Sequence, residues 1–131
     1  MRRGGIIIGL LVVIAVLVAL YAMSAQDRSI EQSAMAMTGG DFQRGKAAIS
    51  NFGCGSCHTI PGIAGAEGRV GPPLQGIAGR MYIGGVLTNT PENLMRWIRD
   101  PKKIDEKTAM PVIGISESDA KDIAAYLYTL N

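Results

Sequence analysis

The pentapeptide Cys54-Gly55-Ser56-Cys57-His58 holds both cysteines and the only histidine of this 131-residue chain. C-x-x-C-H is the attachment signature of a c-type haem. Two thiols three residues apart can each form a thioether with a vinyl group of the haem. The histidine that follows then reaches the iron from the same side. We therefore predict one covalently attached haem c, held by Cys54 and Cys57, with His58 as an iron ligand.

Other uses of the two cysteines fit the sequence less well. A structural zinc site needs about four Cys or His ligands, and the chain has three in total. A redox-active C-x-x-C pair is typical of chains with a β-α-β pattern, and no such pattern is visible. A disulfide between residues this close would close a very small loop and stabilise the fold little. These three uses remain the alternatives to haem attachment.

An uncharged apolar segment near the start of the chain is the second strong constraint. Residues 6–22 read IIIGLLVVIAVLVALYA. With residues 4, 5 and 23 the stretch reaches about 20 residues, enough to cross a hydrocarbon core as a helix. Because Arg2 and Arg3 precede it, we expect a cytoplasmic N-terminus. We predict an uncleaved transmembrane anchor over residues 1–23, with the rest of the chain on the periplasmic face of a bacterial cytoplasmic membrane.

A cleaved signal peptide is the alternative for this segment. Ala22-Met23-Ser24 is a passable cleavage site because small residues flank its middle position. Against cleavage, the apolar core is longer than the roughly 7 to 15 residues that are usual in signal peptides. Both interpretations export the remainder of the chain.

Residues 24–40 (SAQDRSIEQSAMAMTGG) are predicted to be a linker. They are mostly small or polar, contain no motif and end in two glycines. We interpret them as a flexible tether between the anchor and a domain that begins at residue 41. Residues 29–37 could continue as helix, which would shorten and stiffen that tether.

From residue 41 onward the sequence predicts three short helices separated by loops. The first spans Asp41–Phe52 and has its N-cap at its first residue. The second has Thr90 as N-cap, Pro91 at its first position, and a stop at Asp100-Pro101. The third begins at Ser116 with a sequence like a capping box. Strand signals are weak in the Gly- and Pro-rich residues 60–85.

The expected fold class is therefore all-α over residues 41–131, with a single transmembrane helix before it. Loops this long are unusual in a domain of this size. They would be explained if three main helices and their loops wrapped around one large flat prosthetic group, which would then form the centre of the core.

At this level of detail residues 41–131 resemble a class I, mono-haem cytochrome c. The residues of segment 89–101 resemble in particular the cytochrome domain that is fused to subunit II of some bacterial haem-copper oxidases. The matching motifs follow the order of the family and are Asp41-x-x-x-Gly45-Lys46, C-G-S-C-H, Gly71-Pro72-Pro73-Leu74-x-Gly76-x-x-Gly79-Arg80, Leu94-Met95-x-x-x-x-x-Pro101-Lys102-Lys103, Thr108-x-Met110 and Ala125-Tyr126-Leu127.

The resemblance implies two iron ligands, His58 and Met110, and a hydrogen bond from His58 to the carbonyl of Pro72. The domain contains two other methionines. Met95 lies on a predicted helix, where it could equally fill the core, and Met81 has no matching context. His/Met ligation raises the reduction potential.

The resemblance also assigns further contacts to the haem. Arg80 and Thr108 would each meet a propionate, although a surface cation and a loop-capping hydroxyl are the plainer interpretations. Leu74 would pack on the ring together with Leu94 and Ile98, as other buried aliphatic residues can. Trp97 stands where the family often has a tyrosine and is interpreted as part of the wall.

An iron with two protein ligands has no open position for a substrate, so the resemblance implies one-electron transfer rather than an enzyme acting alone. The expected partners are the lipid bilayer and membrane redox complexes, with a quinol-oxidising complex or a dehydrogenase as donor and a terminal oxidase as acceptor. No nucleic-acid partner is expected. Residues 41–131 hold ten Lys and Arg against nine Asp and Glu, so the domain has little charge with which to steer a partner.

Three alternatives to a mobile carrier remain. The chain could be a fixed cytochrome c subunit of a respiratory complex, and one apolar helix does not distinguish the two. A haem sensor or a peroxidase-like enzyme would require the second ligand to leave the iron easily. An inert assembly subunit would exchange no electrons with its neighbours.

Overall fold

A long helix, α1 (Arg2–Thr38), begins the part of the chain described by the computed structural model, which is residues 2–131 with side chains from residue 6 onward. The chain divides into two compact units, one ending at Ile30 and the other spanning Glu31–Asn131. The helix is a candidate membrane span over Ile6–Thr38, with a mean hydropathy of 3.1 in its most apolar part. Its large apolar side chains between residues 6 and 23 are exposed. By length and composition it can cross a bilayer.

Residues 24–38 are helical in the structure, so the helix that the sequence allowed over residues 29–37 is present and begins earlier in the linker. No Gly or Pro interrupts this segment, and it is rich in Ala, Gln and Met, which favour helix. The Thr38 hydroxyl donates to the Ala34 carbonyl (2.9 Å), and Gly39, at φ 68°, ends the helix. Ala34 and Thr38 are buried, so the end of the predicted linker belongs to the second unit.

The three predicted helices of the second unit are present. They are α2 (Phe42–Asn51), α3 (Pro91–Arg99) and α5 (Glu117–Leu127). Each begins at the predicted N-cap, and in each case the cap side chain accepts a hydrogen bond from a backbone N–H of the first turn, as at Asp41, Thr90 and Ser116. The predicted all-α class is confirmed.

Helices α2 and α5 form the main packing contact of the unit. Gly45 on α2 makes this close approach possible, because a Cβ at that position would overlap the backbone carbonyl of Asp122 on α5. Around this contact the core contains mostly Ile, Leu and Ala side chains.

Small elements that the sequence did not predict complete the fold. Helix α4 (Pro101–Ile104) follows α3 because the Asp100 side chain accepts a hydrogen bond from the N–H of Lys103 (3.1 Å) and so caps a new turn. Strand β1 (Tyr82–Ile83) pairs antiparallel with β2 (Leu87–Thr88) across the Gly84-Gly85 turn, where both residues have positive φ. Two 3-10 turns cover Cys54–Ser56 and Ile77–Gly79.

A buried carboxylate ties α5 to the start of α2. Asp122 accepts hydrogen bonds from the backbone N–H of Asp41 (2.7 Å) and from Nε and Nη2 of Arg44 (2.8 and 2.9 Å). The hydrogen bonds from Arg44, opposed by burial and supported by the Asp41 N–H, lower the pKa of Asp122. Charge-assisted bonds of this kind are stronger than neutral ones.

We expect Asp122→Asn to lower the free energy of unfolding by about 1–3 kcal/mol, since it removes the charge from this set of hydrogen bonds. Chemical denaturation of the holoprotein in detergent would measure it. Glu117→Gln on the same helix is the control. It breaks an exposed ion pair with Lys121, and such pairs contribute little.

The effect of Asp122 should also depend on pH. Because its pKa is lower in the folded state, its contribution is complete above the unfolded value of about 3.9 and is lost as pH falls through the folded value. The stability difference between the wild type and Asp122→Asn should therefore shrink only below about pH 4. A difference that vanished already at pH 6 would contradict this assignment.

Candidate functional site

A cavity of about 520 Å³ lies inside the second unit. Helices α2, α3 and α5 and the loops between them supply its walls. This size is within the range of cofactor and ligand sites. Its aliphatic and aromatic walls suit a large apolar group, and they are formed by Ile49, Phe52, Ile60, Leu74, Ile77, Ile83, Leu94, Trp97, Ile98, Ile115, Ile123 and Leu127.

Cys54, Cys57 and His58 all line this cavity. They follow α2 directly, because Gly53 adopts a positive φ of 71° and turns the chain sharply. The Cys54 carbonyl then accepts hydrogen bonds from the N–H of Cys57 (3.3 Å) and of His58 (3.0 Å), which hold the pentapeptide in one turn. Both sulfur atoms are half-buried, and neither forms a disulfide.

The orientation of His58 is set by the loop at residues 71–73. Its Nδ1 lies 2.8 Å from the carbonyl oxygen of Pro72, and a carbonyl can only accept, so Nδ1 carries the proton. Nε2 is then left as the metal-binding nitrogen. Gly71 packs against the ring, since a Cβ there would lie 2.7 Å from Nδ1 and 2.8 Å from Nε2. The N–H of Gly71 donates to the Cys57 carbonyl (2.8 Å).

We expect Gly71→Ala to displace the His58 ring or its loop, because the added methyl group has no room. Overpacking of this kind costs about 1–3 kcal/mol, and the visible absorption bands of the holoprotein should shift with the ring. Gly79→Ala is the matched control in the same loop region, since a Cβ at Gly79 meets nothing within 4 Å. Equal spectra for both variants would contradict a tightly held His58.

Of the three methionines in residues 41–131, all of them described, Met110 alone lines the cavity. It is half-buried, and its N–H donates to the hydroxyl of Thr108 (3.3 Å), which turns the loop at this point. Met81 is 76 % exposed. Met95 packs against the core from outside the cavity. The thioether of Met110 is thus the only one of the three available to a group bound there.

The remaining predicted site residues, Pro72, Leu74, Arg80, Trp97 and Thr108, line the cavity too. The Arg80 guanidinium was expected to donate to a haem propionate. In the structure it donates to the backbone carbonyls of Pro73 and Gln75. The Trp97 ring packs against Gly84, where a Cβ would lie 2.6 Å from it. Trp97 is therefore part of the wall, fixed by the hairpin.

Asn89 is a structural residue of the site that the sequence did not single out. Its Nδ2 donates to the carbonyls of Ile77 (2.8 Å) and Arg80 (2.9 Å), and its Oδ1 accepts from the Tyr128 hydroxyl (2.8 Å). Burial, with a smaller contribution from Glu92, raises the pKa of Tyr128 to about 12. Asn89 and Tyr128 lie far apart in sequence, so no local pattern could reveal this link.

The residues present fit a covalently attached haem. Two cysteines and an oriented histidine share one turn, and an apolar cavity opens beside them. A glycine stands where any side chain would collide with that histidine. These features define the class of protein as a haem-binding, all-α domain of the c type.

Comparison with known proteins agrees. The sequence profile of the family described as "Cytochrome c" matches residues 42–131, and the chain belongs to this family. It is 34 % identical over 88 residues to cytochrome c oxidase subunit 2 of Alkalihalophilus pseudofirmus, which covers 66 % of this chain and 25 % of that subunit. The corresponding subunit of a Bacillus species is 31 % identical over 87 residues, covering 63 % and 24 %.

Cytochrome c2 of Agrobacterium tumefaciens is 34 % identical over 104 residues, covering 67 % of this chain and 90 % of that protein. By contrast, the chain spans about a quarter of the length of the two oxidase subunits that it matches. The predicted resemblance is confirmed. As a cytochrome c the chain carries covalent haem c and is an electron-transport protein, and Cys54 and Cys57 are the two cysteines it has.

Proposed function

We propose that this protein is a membrane-anchored carrier that passes single electrons between membrane redox complexes, and that His58 and Met110 would be the two side chains that hold its haem iron. The observation that carries this proposal is that His58 and Met110 line one cavity and that Nε2 of His58 is free to bind, because Nδ1 is engaged by Pro72.

The haem supplies a one-electron Fe(II)/Fe(III) couple, and the chain's own residues adjust and protect it. The Pro72 carbonyl keeps the proton on Nδ1 of His58 and makes Nε2 a stronger base. The apolar walls keep water from the site. A thioether from Met110 favours the reduced state and so raises the potential. With His58 and Met110 both holding the iron, no position on it would be left for a substrate.

Helix α1 supports the anchor in this proposal, since it is long and apolar enough to span a bilayer. Arg2 and Arg3 at its start favour a cytoplasmic N-terminus and a haem domain on the outer face. The proposed donor is a quinol-oxidising complex or a dehydrogenase, and the proposed acceptor is a terminal oxidase. Two relatives named cytochrome c oxidase subunit 2 support the acceptor.

The same two relatives favour a second candidate, in which the chain is a fixed subunit of a respiratory complex. Their matching regions are parts of larger oxidase subunits, so the domain type also works while held beside its acceptor. A leashed carrier and a fixed subunit differ in whether the domain can leave and return.

Binding of external ligands tests the carrier against a haem sensor or a peroxidase-like enzyme. We expect the reduced holoprotein to bind carbon monoxide negligibly at neutral pH, because Met110 occupies the position that the gas would take. The ferrous absorption spectrum under carbon monoxide measures this. Rapid and complete binding would contradict the carrier and support a sensor or an enzyme.

Release from the membrane tests carrier against subunit. When residues 6–23 are replaced by a cleavable signal, a leashed carrier should lose most of the electron flux in membranes by dilution. Excess added soluble domain should then restore it. A fixed subunit should be rescued poorly, because its helix holds it in the complex. The measurement is oxygen uptake by native membranes, and flux unchanged on release would contradict both forms.

A further inference from the structure

Large apolar side chains are exposed in the loops that line the cavity. Val70, Tyr82 and Ile113 line the cavity and are exposed as well, Val70 by 73 %. A side chain with both properties stands at the cavity opening. Their chain neighbours Met81 and Val112 are also exposed. These five residues are called the rim below, and they mark the mouth of the site.

The rim residues lie in three uncharged runs, although Arg69 precedes the first run and Arg80 separates the first from the second. Residues 70–79, 81–91 and 108–116 include no Asp, Glu, Lys or Arg, although 18 % of the chain is charged. Exposed loops ordinarily hold charges, so three runs of nine to eleven uncharged residues with exposed apolar side chains depart from an ordinary surface. Exposed apolar patches of this kind mark interaction sites.

Charges of both signs occur beside the rim. Two charged residues line the cavity, Arg80 and Asp105. The Arg80 guanidinium is turned to the Pro73 and Gln75 carbonyls rather than to solvent partners. Beside Val70 in sequence stand Arg69 and, two positions earlier, Glu67. The mouth therefore has little net charge with which to attract or repel a partner at a distance.

Electrons must enter and leave where a partner can come closest to the cavity, and that place is the rim. Interface centres are depleted in charge and enriched in aromatic residues and Met, as the rim is with Tyr82 and Met81. We propose that the rim docks against an uncharged, apolar patch of the membrane redox partner, so that burial of apolar surface rather than charge attraction holds the two together.

This inference rests on the proposed electron exchange with a membrane partner. A domain that is confined to the same membrane as its acceptor needs little long-range electrostatic attraction to find it, because confinement already raises the effective concentration. The relatives in which this domain type is part of an oxidase subunit agree with such confinement. A freely diffusing carrier would gain far more from charge.

The first test is the salt dependence of electron transfer. The full-length holoprotein is placed in proteoliposomes with the terminal oxidase purified from its own membranes, and oxidation of the haem is followed. Between about 20 and 500 mM KCl the rate should change less than about twofold, whereas charge-steered docking slows steeply over this range. A tenfold fall with salt would overturn the apolar docking. An oxidase that takes no electrons at all would instead overturn the proposed acceptor.

The second test places either sign of charge at the rim. Val70→Asp and Val70→Lys should both slow transfer to the oxidase, by about tenfold, because each buries a charge against an apolar patch. If charge attraction held the two proteins together, a charge of one sign at position 70 would slow electron transfer and a charge of the other sign would accelerate it. That outcome would overturn the proposal.

Val86→Asp and Val86→Lys are the matched controls. Val86 is the same residue type, is 53 % exposed in an uncharged loop, and does not line the cavity. Both should leave the rate within about twofold of wild type. Equal slowing of electron transfer by the Val86 and Val70 substitutions would show that the docking surface is not confined to the rim, and would overturn the proposal.

Hexacyanoferrate(III) and the reduction potential check that the variants are intact, since this small oxidant needs no protein interface. Its rates should differ only slightly, and in opposite directions for Asp and Lys at position 70. Two results would show that the rim contacts something other than the redox partner. A change in the oligomeric state of the Val70 variants would point to a second copy of the chain, and a change in their binding to protein-free vesicles would point to the bilayer. Either result would overturn the proposal.

Discussion

The double substitution Cys54→Ala, Cys57→Ala is expected to abolish covalent haem and, with it, the folded domain. Without attached haem, nothing would pack against the walls of the cavity of about 520 Å³. Its apolar walls would then face water, and a domain this small has a total stability of only about 5–15 kcal/mol with which to tolerate that loss.

Haem staining after denaturing electrophoresis, together with circular dichroism of the purified chain, measures both effects. Each single substitution should leave one thioether and an intermediate yield of holoprotein. Ser56→Ala is the control in the same turn, where it removes the hydrogen bond from the Ser56 hydroxyl to the Gly53 carbonyl (2.8 Å) and a long contact with the Cys57 sulfur (3.8 Å) while leaving both cysteines in place. A stable, haem-free and folded double variant would show that the core does not depend on the haem.

The helices of the haem domain could be predicted because their N-termini are determined by residues that are close together in the sequence. Asp41, Thr90 and Ser116 each cap a helix through bonds to a backbone N–H within three residues, so a short window contains the whole signal. The attachment turn is local for the same reason, since His58 follows Cys57 directly. The match to the cytochrome c family over residues 42–131 agrees with these local signals.

Links between distant parts of the chain could not be predicted. Asp122 reaches Arg44 and the N–H of Asp41 across 78 and 81 residues of sequence. Asn89 joins Tyr128 to the carbonyls of Ile77 and Arg80. A lone Asp or Asn carries no sign of its partner until the fold has brought the two together. For residues 24–38 the sequence allowed helix only over residues 29–37 and otherwise favoured coil, for another reason. Their polar composition is common to linkers and exposed helices, and helix propensity decided the outcome.

Removal of the second proposed ligand should have the other large effect. Met110→Ala is expected to lower the reduction potential by on the order of 100 mV, within the range of about 0.8 V that axial ligands set. Alanine offers no lone pair to the iron. The vacated position should also admit carbon monoxide, which the wild type excludes, so that potential and gas binding change together.

Met95→Ala and Met81→Ala are the controls for this prediction. Met95 packs against the core outside the cavity, and its truncation should cost about 2 kcal/mol or less of stability without changing the potential. Met81 is exposed, so its loss should alter neither stability nor potential. Redox titration with absorption spectra distinguishes the three variants. If Met110→Ala kept both the low-spin spectrum and the wild-type potential while Met95→Ala lost them, the ligand would be Met95. The cavity wall near α3 would then have to rearrange around the haem.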